Sequence, residues 1–229
     1  EIALVEAYIA HEFDFKNSTR NSDCSPMTFI RLGTSGGVQP DISPGTLAIA
    51  SYAVGLDSTG IYYDQPQEDD IVKRIETATE EILTEDTPSK SRFKGKIIPY
   101  ASKASAEVTE ALINQATNHN VAFEVGITVS SPGFYGPSSR FVDGLKNTLP
   151  NIKGSLSKLN IDGLKVLNME MESSLLFHLC SQMGYRAGTI CTVISAPTES
   201  DVIIDYDAAI GNTIDIGLKA LVELNETNK

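Results

Sequence analysis

Between Leu164 and Met183 the hydrophobic period of the chain changes. Leu164-Lys165-Val166-Leu167 is an apolar-rich run short enough for a strand, whereas Met171, Leu175, Leu176, Leu179, Cys180 and Met183 recur three and four residues apart, as on the buried face of a helix. A strand that hands over directly to a helix is the joint from which α/β sheets are built. The joint itself is Asn168-Met169-Glu170-Met171-Glu172-Ser173-Ser174. Asn168 is a good residue type for a helix boundary, and acids just after it lie near the positive end of the helix. Glu170 and Glu172 therefore have two readings. They are either first-turn acids that stabilise a helix, or ligand-holding carboxylates at the carboxyl end of a strand, where α/β sheets usually bind small molecules.

The rest of the 229 residues follows the same alternation, with no break in composition that would force two domains. Ile2 to Ile9 is apolar enough for a helix, yet no capping residue precedes it, so the sequence opens in mid-element. Met27 to Leu32 reads as a buried strand that runs into a glycine-rich turn, Gly33-Thr34-Ser35-Gly36-Gly37. Leu47 to Val54 reads as a central strand and Val121 to Val129 as another. Ile71, Ile75, Ala78 and Ile82 mark an amphipathic helix with an acidic start at Glu68-Asp69-Asp70, and Val108, Ala111, Leu112 and Ala116 mark a second. Thr84 to Lys96 is a polar connector whose lysines and arginine are expected in solvent. Gly184 to Thr192 is strand-like, and the chain closes on a helix whose inward stripe is Ile210, Ile214, Leu218, Leu221 and Leu224, with a fraying end from Glu226 to Lys229.

The formal charge of −12 argues against partners that need a positive surface, namely nucleic-acid backbones and anionic membranes. Any anion must then be caught by a local pocket. No apolar run approaches the ~18 residues of a membrane span, and nothing resembles a secretion signal. Cys24, Cys180 and Cys191 form neither a disulfide framework nor a metal spacing, and as reduced, buried thiols they suit the cytoplasm. His11, His119 and His178 are scattered, without the spacing of metal ligands. No nucleophile elbow, phosphate-binding P-loop or dinucleotide fingerprint is present.

Two further stretches carry chemistry. Arg31 is a charge inside an apolar strand and needs a partner. An anion at the glycine turn would supply one, because backbone N–H groups can approach it there without interference from side chains. A plain tight turn is the alternative. Ser130 to Arg140 is a proline- and glycine-punctuated loop that carries Phe134, Tyr135 and Arg140, an odd load for a connection. A planar base could stack on Phe134 while Arg140 donates to its carbonyl oxygens. The alternative is an aromatic plug over the core beside a surface arginine.

These three stretches, in this order along the chain, resemble the nucleoside phosphorylase family, more closely its uridine phosphorylase branch. The matching segments are Arg31-Leu32-Gly33-Thr34-Ser35-Gly36-Gly37 with Pro40, Asp41 and Pro44-Gly45-Thr46; Phe134-Tyr135 with Arg140; and Glu170-Met171-Glu172. The resemblance implies one three-layer α/β domain over residues 1–229, with a central mixed β-sheet flanked by helices. It also implies phosphate-dependent cleavage of a ribonucleoside, uridine above others, to free base and ribose 1-phosphate. Arg31 and Thr34 would contact phosphate, and Thr34 would also border the ribose. Glu172 would hold the ribose hydroxyls, with Met171 packed against the sugar and Glu170 in support. Gly36, Phe134, Ser138 and Arg140 would surround the base. No resident metal or cofactor is implied, phosphate being a co-substrate, and the family's habit is a homo-oligomer, a dimer or a ring of dimers.

Departures from the family pattern are equally specific. A glutamine that reads uracil is expected where Ser138 stands, and the loop from Val193 to Asp201 carries Ala196 and Pro197 where an arginine or an aspartate would serve the base. The family's leading strand, with its own phosphate turn and arginines, is absent before Glu1, which leaves the activity of this chain an open expectation. Two alternatives stay open: a hydrolase-like member that uses water, which Arg31 opposes, and a nucleoside-binding or assembly subunit without catalysis.

Overall fold

The computed structural model describes residues 1–21, 23–64, 69–196 and 205–226. Helix α1 (Ile2–Glu12) leads into a small antiparallel pair, β1 (Phe13–Asp14) and β2 (Thr19–Arg20). Then come β3 (Thr28–Gly37), β4 (Leu47–Gly55), α2 (Asp70–Asp86), β5 (Tyr100–Lys103), α3 (Ala106–Asn118) and β6 (Phe123–Ser130). The second half supplies α4 (Ile152–Leu156), β7 (Asn160–Ile161), β8 (Leu164–Glu170), α5 (Ser173–Met183), β9 (Arg186–Ser195) and α6 (Tyr206–Glu226).

The main sheet has the order β3-β9-β4-β6-β8-β7, with β5 added to β4. It is mixed: β3 runs parallel to β9, and β6 parallel to both β4 and β8, whereas β4 is antiparallel to β9 and β5. The far end of β3 also pairs antiparallel with β8, at Gly36 with Met169 and Gly37 with Asn168. The sheet thus closes on itself through β3, β9, β4, β6 and β8. This seam brings together two stretches that the sequence keeps far apart.

Helices flank the sheet because alternate strand residues face different neighbours. Leu47 and Ile49 of β4 pack with Ile190 of β9 against Val108 and Leu112 of α3 and Ile216 and Ala220 of α6. Ala48, between them, instead meets Leu167 and Val193. Val54, Ile127 and Val166 pack against Val72, Ile75 and Leu83 of α2 and Ile152 and Leu156 of α4. Phe177 and Cys180 of α5 fill a third cluster with Ala50 and Ala53. Helix α2 begins as its sequence suggests: the Asp69 carboxylate accepts from the Ile71 and Val72 backbone N–H groups at 2.9 and 3.3 Å. Glu68, the first acid of that expected start, lies outside the described residues.

Several expectations need correction. Gly33 to Gly37 is not a turn but the continuation of β3, irregular only where the register with β9 shifts between Ser35 and Gly36. The strand of the strand-helix joint does not stop at Leu167. Asn168 is a fully buried strand residue that accepts from Thr128 Oγ1 at 2.7 Å, and β8 runs on to Glu170. Met171 is 46% exposed and precedes α5, so it is no part of that helix's buried face. In α6, Ile214 and Leu218 face outward, and the buried face is Thr213, Ile216, Gly217, Ala220 and Leu224. A Cβ on Gly217 would collide with Leu32 of β3, so small residues set the helix against the sheet where the larger apolar ones had been expected. Strands β5 and β7 and the short α4 lack an apolar run long enough to announce them.

Candidate active site

The carboxyl ends of β3, β6 and β8 and the loop after β6 surround a cavity of about 500 Å³, within the range of small-molecule sites. Arg31, Thr34 and Gly36 of β3 line one side, Phe134, Ser138 and Arg140 of the loop another, and Glu170, Met171 and Glu172 a third. All the residues singled out from the sequence as site candidates therefore border one space.

Glu170 is the fixed element. Its side chain is 1% exposed. It accepts from Ser130 Oγ at 2.5 Å, from the Glu172 backbone N–H at 3.1 Å and, through both oxygens, from the Ser173 backbone N–H at 3.1 Å. Ser130 Oγ in turn accepts from the Ser174 backbone N–H at 2.9 Å. Glu170 thus closes the amino end of α5 from the last residue of β8: it is not a first-turn acid as one reading had it, although its carboxylate serves the helix and borders the cavity. Glu172 is different. It holds the cap position of α5 without a side-chain capping bond, and its side chain is 58% exposed toward the cavity.

Arg31 links the two. Its Nε lies 3.1 Å from Glu170 Oε2 and 3.0 Å from Glu172 Oε2, and its Nη2 is closer still to the same Glu172 oxygen. Nη1 donates to Cys191 Sγ at 2.9 Å. The partner that a buried arginine requires is thus a pair of carboxylates and a thiol from the protein itself, rather than an anion alone. Burial opposes the arginine's charge, but Cys191, Glu170 and Glu172 outweigh it and its pKa is raised. Burial pushes the Cys191 thiol up to about 12, so it faces Arg31 as a neutral acceptor. Gly33 makes the arrangement possible. Residues 31 and 33 point to the same side of β3, and a methyl group on Gly33 would stand 2.5 Å from Arg31 Nη1.

In the loop, the Arg140 guanidinium lies over the Phe134 ring with Cζ 3.9 Å from its centroid, while Tyr135 meets the same ring edge-on. One face of Phe134 is therefore taken by Arg140 rather than left for a base, and the ring remains 52% exposed. Arg140 Nε is buried with no hydrogen-bond partner among the described residues. Ser138 Oγ donates to the Gly133 carbonyl at 3.3 Å, which braces the loop and leaves the hydroxyl oxygen as acceptor. Pro197, the other expected departure near the base, lies outside the described residues, as does the remainder of that loop to Asp201.

Sequence reasoning missed three neighbours. Lys153, from the short helix α4, lines the cavity, and so do Ser195 and Ile194 at the end of β9. Cys191 was expected only as a buried thiol, not as a ligand of Arg31. No spacing signals Lys153, because its place depends on how α4 packs on α2. Among the described residues no group of three or more His, Cys, Asp or Glu side chains could hold a metal ion. His178 is spent on Ser102 Oγ and the Tyr63 carbonyl, at 3.1 and 2.7 Å.

A model of the phosphorylase superfamily matches residues 1–223. Uridine phosphorylase of Haemophilus influenzae is 32% identical over 175 residues, 76% of this chain and 56% of that protein. Uridine phosphorylase of Thermococcus kodakarensis is 33% identical over 171 residues, 73% and 48% respectively. The chain spans about half the length of these curated relatives. A solved structure of a Trypanosoma brucei nucleoside phosphorylase, described as showing uridine phosphorylase activity, superposes with a TM-score of 0.82 at 28% identity, covering 97% of this chain and 76% of that one.

Proposed function

Since the chain belongs to the phosphorylase superfamily, we propose that it is a nucleoside phosphorylase of the uridine type, which transfers the pentose of a ribonucleoside to inorganic phosphate. The observation that carries this reading is the meeting of Arg31 with Glu170 and Glu172 in a cavity that also holds the Phe134–Arg140 loop. Phosphate, held by Arg31 and Thr34, attacks the anomeric carbon. A bond forms from a phosphate oxygen to that carbon, the glycosidic C–N bond breaks, and its electron pair leaves with the base, which takes up the proton that phosphate gives up. Glu172, acceptor-only, receives both ribose hydroxyls, and Met171 packs on the sugar. The negative carboxylates favour the positive charge that develops on the pentose, and the cations favour the departing base. No covalent intermediate is required; positioning supplies much of the acceleration.

The same reading treats residues 1–223 as part of one domain with no resident metal or cofactor, acting in the cytoplasm as a homo-oligomer. No helix among the described residues is long and apolar enough to cross a membrane, and the formal charge of −12 disfavours nucleic acid as partner. A second reading, a nucleoside-binding chain without turnover, is favoured by Ser138, whose short hydroxyl is already engaged by Gly133. The test is release of uracil from uridine with and without phosphate. Phosphate-dependent release with ribose 1-phosphate as product supports the first reading. Phosphate-independent release would instead mean hydrolysis, and uridine binding without release would mean the second reading.

A further inference from the structure

Lys153 is the cation in the cavity to which the proposed reaction gives no task. Its backbone is held firmly: Ile152 and Leu156, on either side in α4, are fully buried against α2 and the sheet. The side chain reaches across to β3, where a methyl group on Gly36 would stand 3.4 Å from Nζ and 3.3 Å from Ser195 Oγ. The ammonium thus lies in contact range of the bare backbone at Gly36. No carboxylate is paired with Nζ among the described residues, and the charge that bears on it is of its own sign, that of Arg140. Burial first, and then Arg140, hold Lys153 below the usual lysine range. Arg140 Nε is likewise buried and unpartnered among the described residues.

The cavity is therefore electrostatically divided. At one end Arg31 is matched by two carboxylates. Lys153 and Arg140, on the same lining, repel each other, and neither is paired with a carboxylate among the described residues, an electrostatic cost that a ligand rich in electron density would relieve. We infer that Lys153 is a further base-binding residue, donating directly to a carbonyl oxygen of the departing base on the same lining as Arg140. This rests on the phosphorolysis reading for the identity of the leaving group. As the glycosidic bond breaks, its electron pair spreads onto the carbonyl oxygens of the base, and the ammonium stabilises that charge by a hydrogen bond without giving up its proton. The cation supplies from α4 the donor that Ser138 is too short to provide.

Binding of free bases tests the inference apart from the reaction. Affinities of the full chain, Lys153→Met and Lys153→Arg are measured by calorimetry for 5-nitrouracil, which is anionic at neutral pH, for uracil and for inorganic phosphate. The wild-type chain binds 5-nitrouracil more tightly than uracil, Lys153→Met loses roughly tenfold of that affinity, and Lys153→Arg keeps most of it. Equal binding of 5-nitrouracil by wild type and Lys153→Met would overturn the inference, as would failure of the wild type to bind either base. A variant that loses phosphate instead of base would place the ammonium at the wrong substrate and overturn it too. Lys153-dependent base binding without phosphate-dependent cleavage would sink the proposed reaction while keeping the contact between Lys153 and the base, so the two failures are distinguishable.

Discussion

The Arg31 guanidinium grips Glu172 through both Nε and Nη2, joining residues 141 apart in the chain. The same two side chains are the proposed holders of phosphate and ribose. Because the guanidinium donates directly to Glu172, a phosphate bonding to Arg31 must share it with the carboxylate or displace it, and a displaced Glu172 would turn to the sugar. The exposed position of Glu172 makes this exchange inexpensive, whereas Glu170, buried and bonded to α5, stays with Arg31 throughout.

Glu172→Gln separates the two partnerships. Without a carboxylate competing for Arg31, the phosphate KM falls, by up to about fivefold for a partly exposed ion pair. The turnover of ribonucleoside falls as well, because the amide cannot accept from both sugar hydroxyls. Steady-state kinetics with phosphate varied at saturating uridine measures both, and a phosphate KM that rises would contradict the exchange.

Removing the other partner has a structural cost in addition. In Arg31→Ala the buried Glu170 loses its only ion pair among the described residues, and a loss of roughly 3 kcal/mol of stability accompanies the expected loss of phosphate use. Arg31→Lys restores a charge near Glu170 but not the fork that reaches Glu172 and Cys191 together, so melting temperature recovers further than phosphate-dependent rate. Recovery of both in parallel would mean that charge alone matters.

Gly33→Ala tests the room that β3 leaves for the guanidinium. The added methyl would stand 2.5 Å from Arg31 Nη1 and push the guanidinium off its partners, buried Glu170 among them, so Gly33→Ala loses stability up to the roughly 3 kcal/mol expected of Arg31→Ala. A lowered melting temperature, together with a raised phosphate KM, is the expected pair of results. Unchanged kinetics would mean that the observed position of Arg31 is not the working one.

Lys153 gives a pH-dependent signature. Its folded pKa is depressed, so the folded state releases this proton more readily than the unfolded chain, and the charge costs stability below the folded value. That cost disappears as pH rises through the alkaline range up to the ordinary lysine pKa. Lys153→Met therefore melts higher than wild type at neutral pH, and the difference shrinks as pH is raised through that window. Thermal melts of both proteins across the range read the slope, and a difference that grows with pH would reverse the assignment.

How far the chain could be read in advance depended on the kind of signal. The strand-helix joint was legible because its period changes within a few residues, and Arg31 because a charge in an apolar strand is conspicuous. The role of Gly33 was not, since a glycine beside an arginine suggests a turn until the guanidinium is seen folded back over it. The outward stripe of α6 was misjudged because size was taken for burial, whereas close approach to Leu32 demands Gly217. Lys153 could not be found at all. Its meaning depends on the packing of Ile152 and Leu156 under α2, a contact with no trace in local sequence.

The pairing of Gly36 with Met169 and Gly37 with Asn168 holds only a few residues, yet it joins the strand of the arginine to the strand of the acids. Anything that parts this suture pulls the anion clamp and the sugar clamp away from each other while the helices outside it keep their own backbone bonds. The proposed phosphorolysis is thus expected to be more fragile than the circular dichroism of this molecule, with denaturant silencing it before the spectrum changes.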